Sequence, residues 1–124
     1  PQAEQLYRRM VFNVIARNCD DHTKNFAFRL KENGVWELSP AYDVCYAYRP
    51  GSDWVSQHNL SINGKRTYIT KEDLLKVGKS MSIKKANTII QQIDETVKKW
   101  NEFAEAAKVD IYMKESIGKS HLIL

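Results

Sequence analysis

The chain has 124 residues, 43% of them apolar and 27% charged, with a formal net charge of +4. This length fits one domain, which can bury roughly two thirds of its unfolded surface. No apolar run approaches the ~20 residues of a membrane-spanning helix, and no signal peptide is visible, so membrane proteins and secreted precursors are not indicated. Two cysteines, Cys19 and Cys45, are too few for a disulfide framework and lack metal-type spacing. Small buried thiols are the plain reading, and the cytoplasm is the default compartment. The chain opens on Pro1 rather than Met, as a piece of a longer protein would.

Leu6, Met10, Val11, Val14 and Ile15 recur at three- and four-residue steps, which predicts a helix over 3–17. That helix delivers the chain into Asn18–Cys19–Asp20–Asp21–His22–Thr23–Lys24–Asn25. Residues 25–30 alternate, Phe26 and Phe28 against Ala27 and Arg29, and read as a strand. Glu32–Asn33–Gly34 is a turn, residues 35–38 return as a second strand, and Pro40 stops it. Such a hairpin sets Asn25 at the start of one strand and Asp43 just past the end of the other, so the two meet in space.

Residues 44–57 look irregular, with a turn at Pro50–Gly51–Ser52–Asp53. Tyr46, Tyr48 and Trp54 either pin this loop to the core or cover the acidic segment or a partner surface. Asn63–Gly64 suits a type I′ turn and predicts a second hairpin over 59–68. Thr70 and Asp73 have capping-box spacing for a helix over 71–77, which Gly78 would close. Ser82 could cap a long helix to Ala107. Its Ile83, Ala86, Ile90, Ile93, Val97, Trp100, Ala104 and Ala107 form a seam of alternating three- and four-residue steps, suited to a coiled coil or to packing within one domain. Asp110 reads as the cap of a last short helix, and Gly118–Leu124 as a loose end or docking tail. The expected fold is mainly α (α+β), helical with two small β-hairpins.

The chemistry concentrates in the loop after the first helix. Phosphoryl transfer requires positioning and charge neutralisation: a carboxylate orients the acceptor hydroxyl, and oxygen ligands hold Mg²⁺ against the phosphates. Mg²⁺ keeps several waters and takes one or two protein carboxylates. The spacing Asp20-x-x-x-x-Asn25 is that of a protein-kinase catalytic loop, and a second acid, Asp43, follows the hairpin. Asp20 would accept the hydroxyl proton, and Asn25 and Asp43 would offer oxygens to the metal. The bare spacing also arises from turn formers. Its context adds weight: an amphipathic helix before it, a hairpin starting on Asn25, and an Asp where the hairpin closes.

Asn18-x-Asp20-Asp21-His22-x-Lys24-Asn25-Phe26, then Leu38-Ser39-Pro40-Ala41-Tyr42-Asp43-Val44, resembles the carboxy-terminal half of HipA-type serine/threonine kinases. His58-x-Leu60-Ser61-Ile62-Asn63-Gly64-Lys65 and the helical end with Ala86, Ile90, Trp100 and Phe103 also resemble that family. The resemblance covers residues 1–118, leaving 119–124 as a tail. It implies a protein-kinase-like C-lobe with Asp20 as catalytic base and Asn25 and Asp43 as Mg²⁺ ligands, acting with ATP. It also implies a protein substrate and a toxin–antitoxin setting with an antitoxin partner that binds DNA, so that DNA is met only indirectly.

His22 occupies a place where many kinases carry Lys, so it either touches a phosphate or braces the loop. Lys24 either reaches a phosphate or faces water. Asp21 is a second candidate base, and His58 reads as structural. No Gly-rich phosphate loop and no Val-Ala-x-Lys strand is present, and the resemblance places those parts before Pro1. The fragment alone is therefore expected to be inactive.

Two other readings stay open. Residues 1–64 carry seven Lys/Arg and seven Asp/Glu, so the basic excess lies wholly in residues 65–124. With the helical seam, that excess suits an interaction or regulatory module binding a partner protein or DNA. Asp20, Asp21, His22 and Asp43 could alternatively serve a metal-dependent phosphohydrolase, although one histidine supplies a transition metal poorly.

Overall fold

The computed structural model describes all residues, Pro1–Leu124. It contains five helices and one two-stranded antiparallel ribbon, the mainly α fold that the sequence predicts. Helix α1 (Gln2–Ile15) buries Tyr7, Val11, Val14 and Ile15. Those positions repeat at three- and four-residue steps, so one stripe faces inward. The stripe packs on α3 (Ala86–Val97), which buries Ala86, Ile89, Ile90 and Val97. Leu74 of α2 (Lys71–Ser80), with Ile62 and Ile69 before it, completes the core.

Helix α1 ends in a Schellman turn. The amide of Asn18 donates to the carbonyl of Asn13 at 2.9 Å while Arg17 takes φ +60°, so the helix stops where the acidic loop must begin.

The first ribbon is shorter than expected. Strand β1 (Phe28–Leu30) pairs with β2 (Trp36–Leu38) through Phe28↔Leu38, Arg29↔Glu37 and Leu30↔Trp36. Asn25 is not in a strand. It ends a single 3-10 turn, Thr23–Asn25, because its side-chain amide reaches back to the Asp20 carbonyl and curls the chain. The second expected hairpin reduces to one bridge, Ile62↔Lys65. Its turn forms as read, with positive φ at both Asn63 and Gly64. The first flank does not become a strand, because the backbone amides of Asn59 and Leu60 are spent on the Cys19 carbonyl and the Asp21 carboxylate.

The capping box at Thr70 and Asp73 is present, but α2 continues through Gly78 to Ser80. Ser82 caps no helix. It sits at φ +58° in the Schellman turn that ends α2, where the Ile83 amide donates to the Gly78 carbonyl at 2.8 Å. The single long helix is therefore absent. Its place is taken by α3 and α4 (Trp100–Ala106), which part where the Lys99 amide turns to the Thr96 carbonyl. Trp100 then donates its indole N–H to the Lys114 carbonyl of α5 (Ile111–Ser120). Asp110 caps α5 as read, accepting from the amides of Tyr112 and Met113. Most of the seam is used inside this one chain, on α1 and α2, and not in a coiled coil. No helix is long and apolar enough to cross a membrane.

Candidate active site

Three ties draw the acidic loop and the segment carrying Asp43 together. Cys19 donates its amide to the Ala47 carbonyl at 2.9 Å, and Ala47 returns one to the Arg17 carbonyl at 3.1 Å. The chain just before Asp20 is thus bridged to the chain just after Asp43. Tyr42 donates its hydroxyl to the Lys24 carbonyl at 2.8 Å, joining the neighbours of Asp43 and Asn25. Arg9 of α1 donates to the Ser39 carbonyl at 2.6 Å and anchors the far end of the same segment.

Asn25 and Asp43 consequently line one small cavity with Arg9, Asn13, Asn18, Asp21 and Tyr42. Asn25 spends its amide N–H on the Asp20 carbonyl at 3.0 Å, which leaves its side-chain oxygen uncommitted. Asp43 stands at φ +51°, a left-handed conformation uncommon for a residue with a Cβ. Asp20 does not line this cavity; its backbone carbonyl holds Asn25 at the cavity edge. Burial first, then the charges of Asp43 and Asp20, push the Cys45 thiol upward, so both carboxylates act on one neighbouring group. The Asp20 side chain is 44% exposed, and its one ionic neighbour is His22, 3.6 Å away. Lys24 is exposed; only its carbonyl enters the site, as acceptor for Tyr42.

Asp21 is placed differently from its neighbour. It is buried, 4% exposed, with one oxygen 3.0 Å from Nδ1 of His58 and the other accepting the Asn59 amide at 2.8 Å. Although Asp21 lines the same cavity, both of its oxygens are already engaged, so it is withdrawn as a candidate base. No three His, Cys, Asp or Glu side chains gather closely enough to hold a metal ion, which removes the basis for a phosphohydrolase centre built on Asp20, Asp21, His22 and Asp43. An ion here would depend on an amide oxygen as well as carboxylates.

Sequence reasoning missed the partnership of His58 with Asp21. The two lie 37 positions apart, and no spacing rule links them. Arg9 was missed too, because on α1 it reads as an ordinary charged residue off the apolar stripe.

Comparison with known proteins bears on this site. The model of the family described as HipA-like C-terminal domain matches residues 1–100. A relative named Putative kinase Y4dM, from Sinorhizobium fredii (strain NBRC 101917 / NGR234), is 27% identical over 116 residues. The match takes in 92% of this chain and 28% of that relative, so the chain spans little more than a quarter of the relative's length.

Proposed function

The chain belongs to the family of HipA-like C-terminal domains, and on that footing we propose that it provides the catalytic loop and metal-binding residues of an ATP-dependent serine/threonine protein kinase. The observation that carries this reading is the cavity shared by Asn25 and Asp43, with the Asp20 carbonyl bonded to the Asn25 side chain at its edge. A relative whose printed name describes a kinase supports it.

The donor set suits Mg²⁺. Asn25 has a free amide oxygen once its N–H is spent, and the Asp43 carboxylate has no hydrogen-bond partner within the chain. Hard oxygen donors, one of them anionic, match a cation that retains most of its water. Asn25 and Asp43 would hold the ion, which when bound neutralises charge on the transferring phosphoryl group. Asp20 accepts the proton of the acceptor hydroxyl and aligns its oxygen for in-line attack. Its partial exposure gives an acceptor access to it. His22 Nε2 stands 3.6 Å from the Asp20 carboxylate, beyond hydrogen-bond reach, and its own Nδ1 is buried without a partner. Lys24 faces solvent, where it could meet a phosphate.

The acceptor is a protein hydroxyl, and the residues that grip adenine belong to a part of the polypeptide outside these 124 residues. A toxin paired with a DNA-binding antitoxin, working in the cytoplasm, is the setting proposed with the family. The test is phosphate transfer from radiolabelled ATP to a degenerate Ser/Thr peptide library, using the full-length protein. Asp20→Asn should abolish transfer, a loss of at least about 100-fold, with the thermal midpoint nearly unchanged. Normal turnover in that variant would exclude the assignment.

A further inference from the structure

The base of a kinase has to be fixed in place yet keep its carboxylate free. Asp20 meets that demand without using its own side chain: its carboxylate forms no hydrogen bond within the chain, and His22 lies 3.6 Å off. Its two neighbours are clamped instead. Cys19 accepts from Asn59 twice at its carbonyl, from the backbone amide at 3.2 Å and from Nδ2 at 2.8 Å. Asp21 takes the ring N–H of His58 on one oxygen, and the amides of Asn59 at 2.8 Å and Leu60 at 3.4 Å on the other. His58 is itself fixed from behind, because its amide donates to the Arg66 carbonyl at 2.8 Å and Arg66 Nε donates to the His58 carbonyl at 2.6 Å. His58 and Asp21 are 2% and 4% exposed.

The order Cys19, His58, Asp21 also matches the sequence of groups in a thiol hydrolase, with Sγ 3.9 Å from His58 Nε2. That role fails on access. Cys19 has no exposed surface, and burial pushes its thiol up to about 11. It is neither a reachable nor a ready nucleophile. What remains is a mechanical role for the pair.

We propose that the Asp21–His58 pair is a buried strut that positions Asp20 by locking Asp21 to segment 58–60, whose Asn59 in turn holds the Cys19 carbonyl on the other side of Asp20. Both are positioning residues and touch no substrate. The inference rests on the reading of Asp20 as the base. Its signature is a fall in kcat that outweighs any rise in KM for Mg·ATP, because Asp21 and His58 make no hydrogen bond to Asn25 or Asp43 and reach Asn25 only through the Asp20 backbone. A displacement of about 1 Å at a reacting group costs up to about 100-fold in rate.

The experiment uses the full-length protein with radiolabelled ATP and the same degenerate peptide library. It compares wild type, Asp20→Asn, Asp21→Asn, Asp21→Ala and His58→Ala, each with its thermal midpoint. Asp21→Ala and His58→Ala should lower kcat about 10- to 100-fold with KM for Mg·ATP within twofold. Asp21→Asn, which retains the shape and the acceptor for Asn59, should recover most of the loss seen with Asp21→Ala. If the alanine variants do not fold, His58→Asn decides: it should fold, with turnover between wild type and Asp20→Asn. Full turnover per folded molecule, with only a lowered midpoint, would reduce the pair to ordinary core and overturn the proposal. So would a loss confined to KM. An inactive Asp20→Asn beside fully active strut variants sinks this inference alone, whereas an active Asp20→Asn sinks the kinase reading beneath it.

Discussion

Among single residues, Asp73 shows how much one carboxylate can organise. It accepts from Lys65 Nζ at 2.9 Å, from Asn63 Nδ2 at 2.8 Å, and from the Thr70 amide and hydroxyl at 2.8 and 3.0 Å. The Lys65 contact, then those from Asn63 and Thr70, hold its pKa well below the usual carboxylate range. A folded-state pKa depressed in this way gives stability that is full above the unfolded value, about 4, and is lost as pH falls below it. Asp73→Asn should therefore lower the urea midpoint at pH 7 and flatten its decline between pH 5 and 3; parallel urea titrations at several pH values check this. The cap at Thr70 was legible from spacing alone. The further bonds from Asn63 and Lys65 were not, because they cross a loop whose path the local sequence leaves open.

Across elements, Gly78 shows why a helix can pass through a residue that usually ends one. A Cβ placed there would lie 2.7 Å from the Ala86 Cβ of α3 and 3.0 Å from the Tyr7 hydroxyl of α1. Three helices meet at this point, and Tyr7 donates its hydroxyl to the Leu74 carbonyl at 2.8 Å in the same contact. Glycine is present for close approach and not for a turn. Helix propensity alone favours alanine by about 1 kcal/mol, but overpacking costs about 1–3 kcal/mol. Gly78→Ala should thus destabilise by up to about 2 kcal/mol net, read from urea unfolding. A neutral or stabilising result would show that the helices part easily. The same distinction between local and remote causes separates α3 from α4. The apolar seam was read correctly as inward from Ile83 to Ala104, but its last member, Ala107, is exposed, and its continuity fails because Trp100 answers to a carbonyl on α5.

For the whole molecule, the carboxy-terminal residues act as a brace. Leu122 donates its amide to the Ile15 carbonyl at 2.9 Å, and Leu124 donates to Asp94 Oδ1 at 2.8 Å. Both leucines pack against the core cluster. His121 stands edge-on to Trp100 and to Tyr46, and Arg17 donates to the Ser120 carbonyl at 2.8 Å. This end therefore spans α1, α3 and the loop beyond Asp43. Deleting residues 121–124 should cost about 2–4 kcal/mol, from two part-buried leucines and two hydrogen bonds. Chemical denaturation of the shortened chain would measure it, and an unchanged midpoint would make the tail a passenger.

By itself the sequence determined the helical stripe of α1, the caps at Thr70 and Asp110, the Asn63–Gly64 turn and the run of acids and amides between Asp20 and Asp43. Each is set by residues within a few positions of one another, where side-chain geometry and hydrogen bonding act locally. Only the tertiary structure decided that Asp21 turns inward to His58 while Asp20 stays free. Which of two adjacent carboxylates is buried depends on a partner arriving from 37 positions away, because the cost of desolvating a carboxylate is offset only for the one that finds a partner.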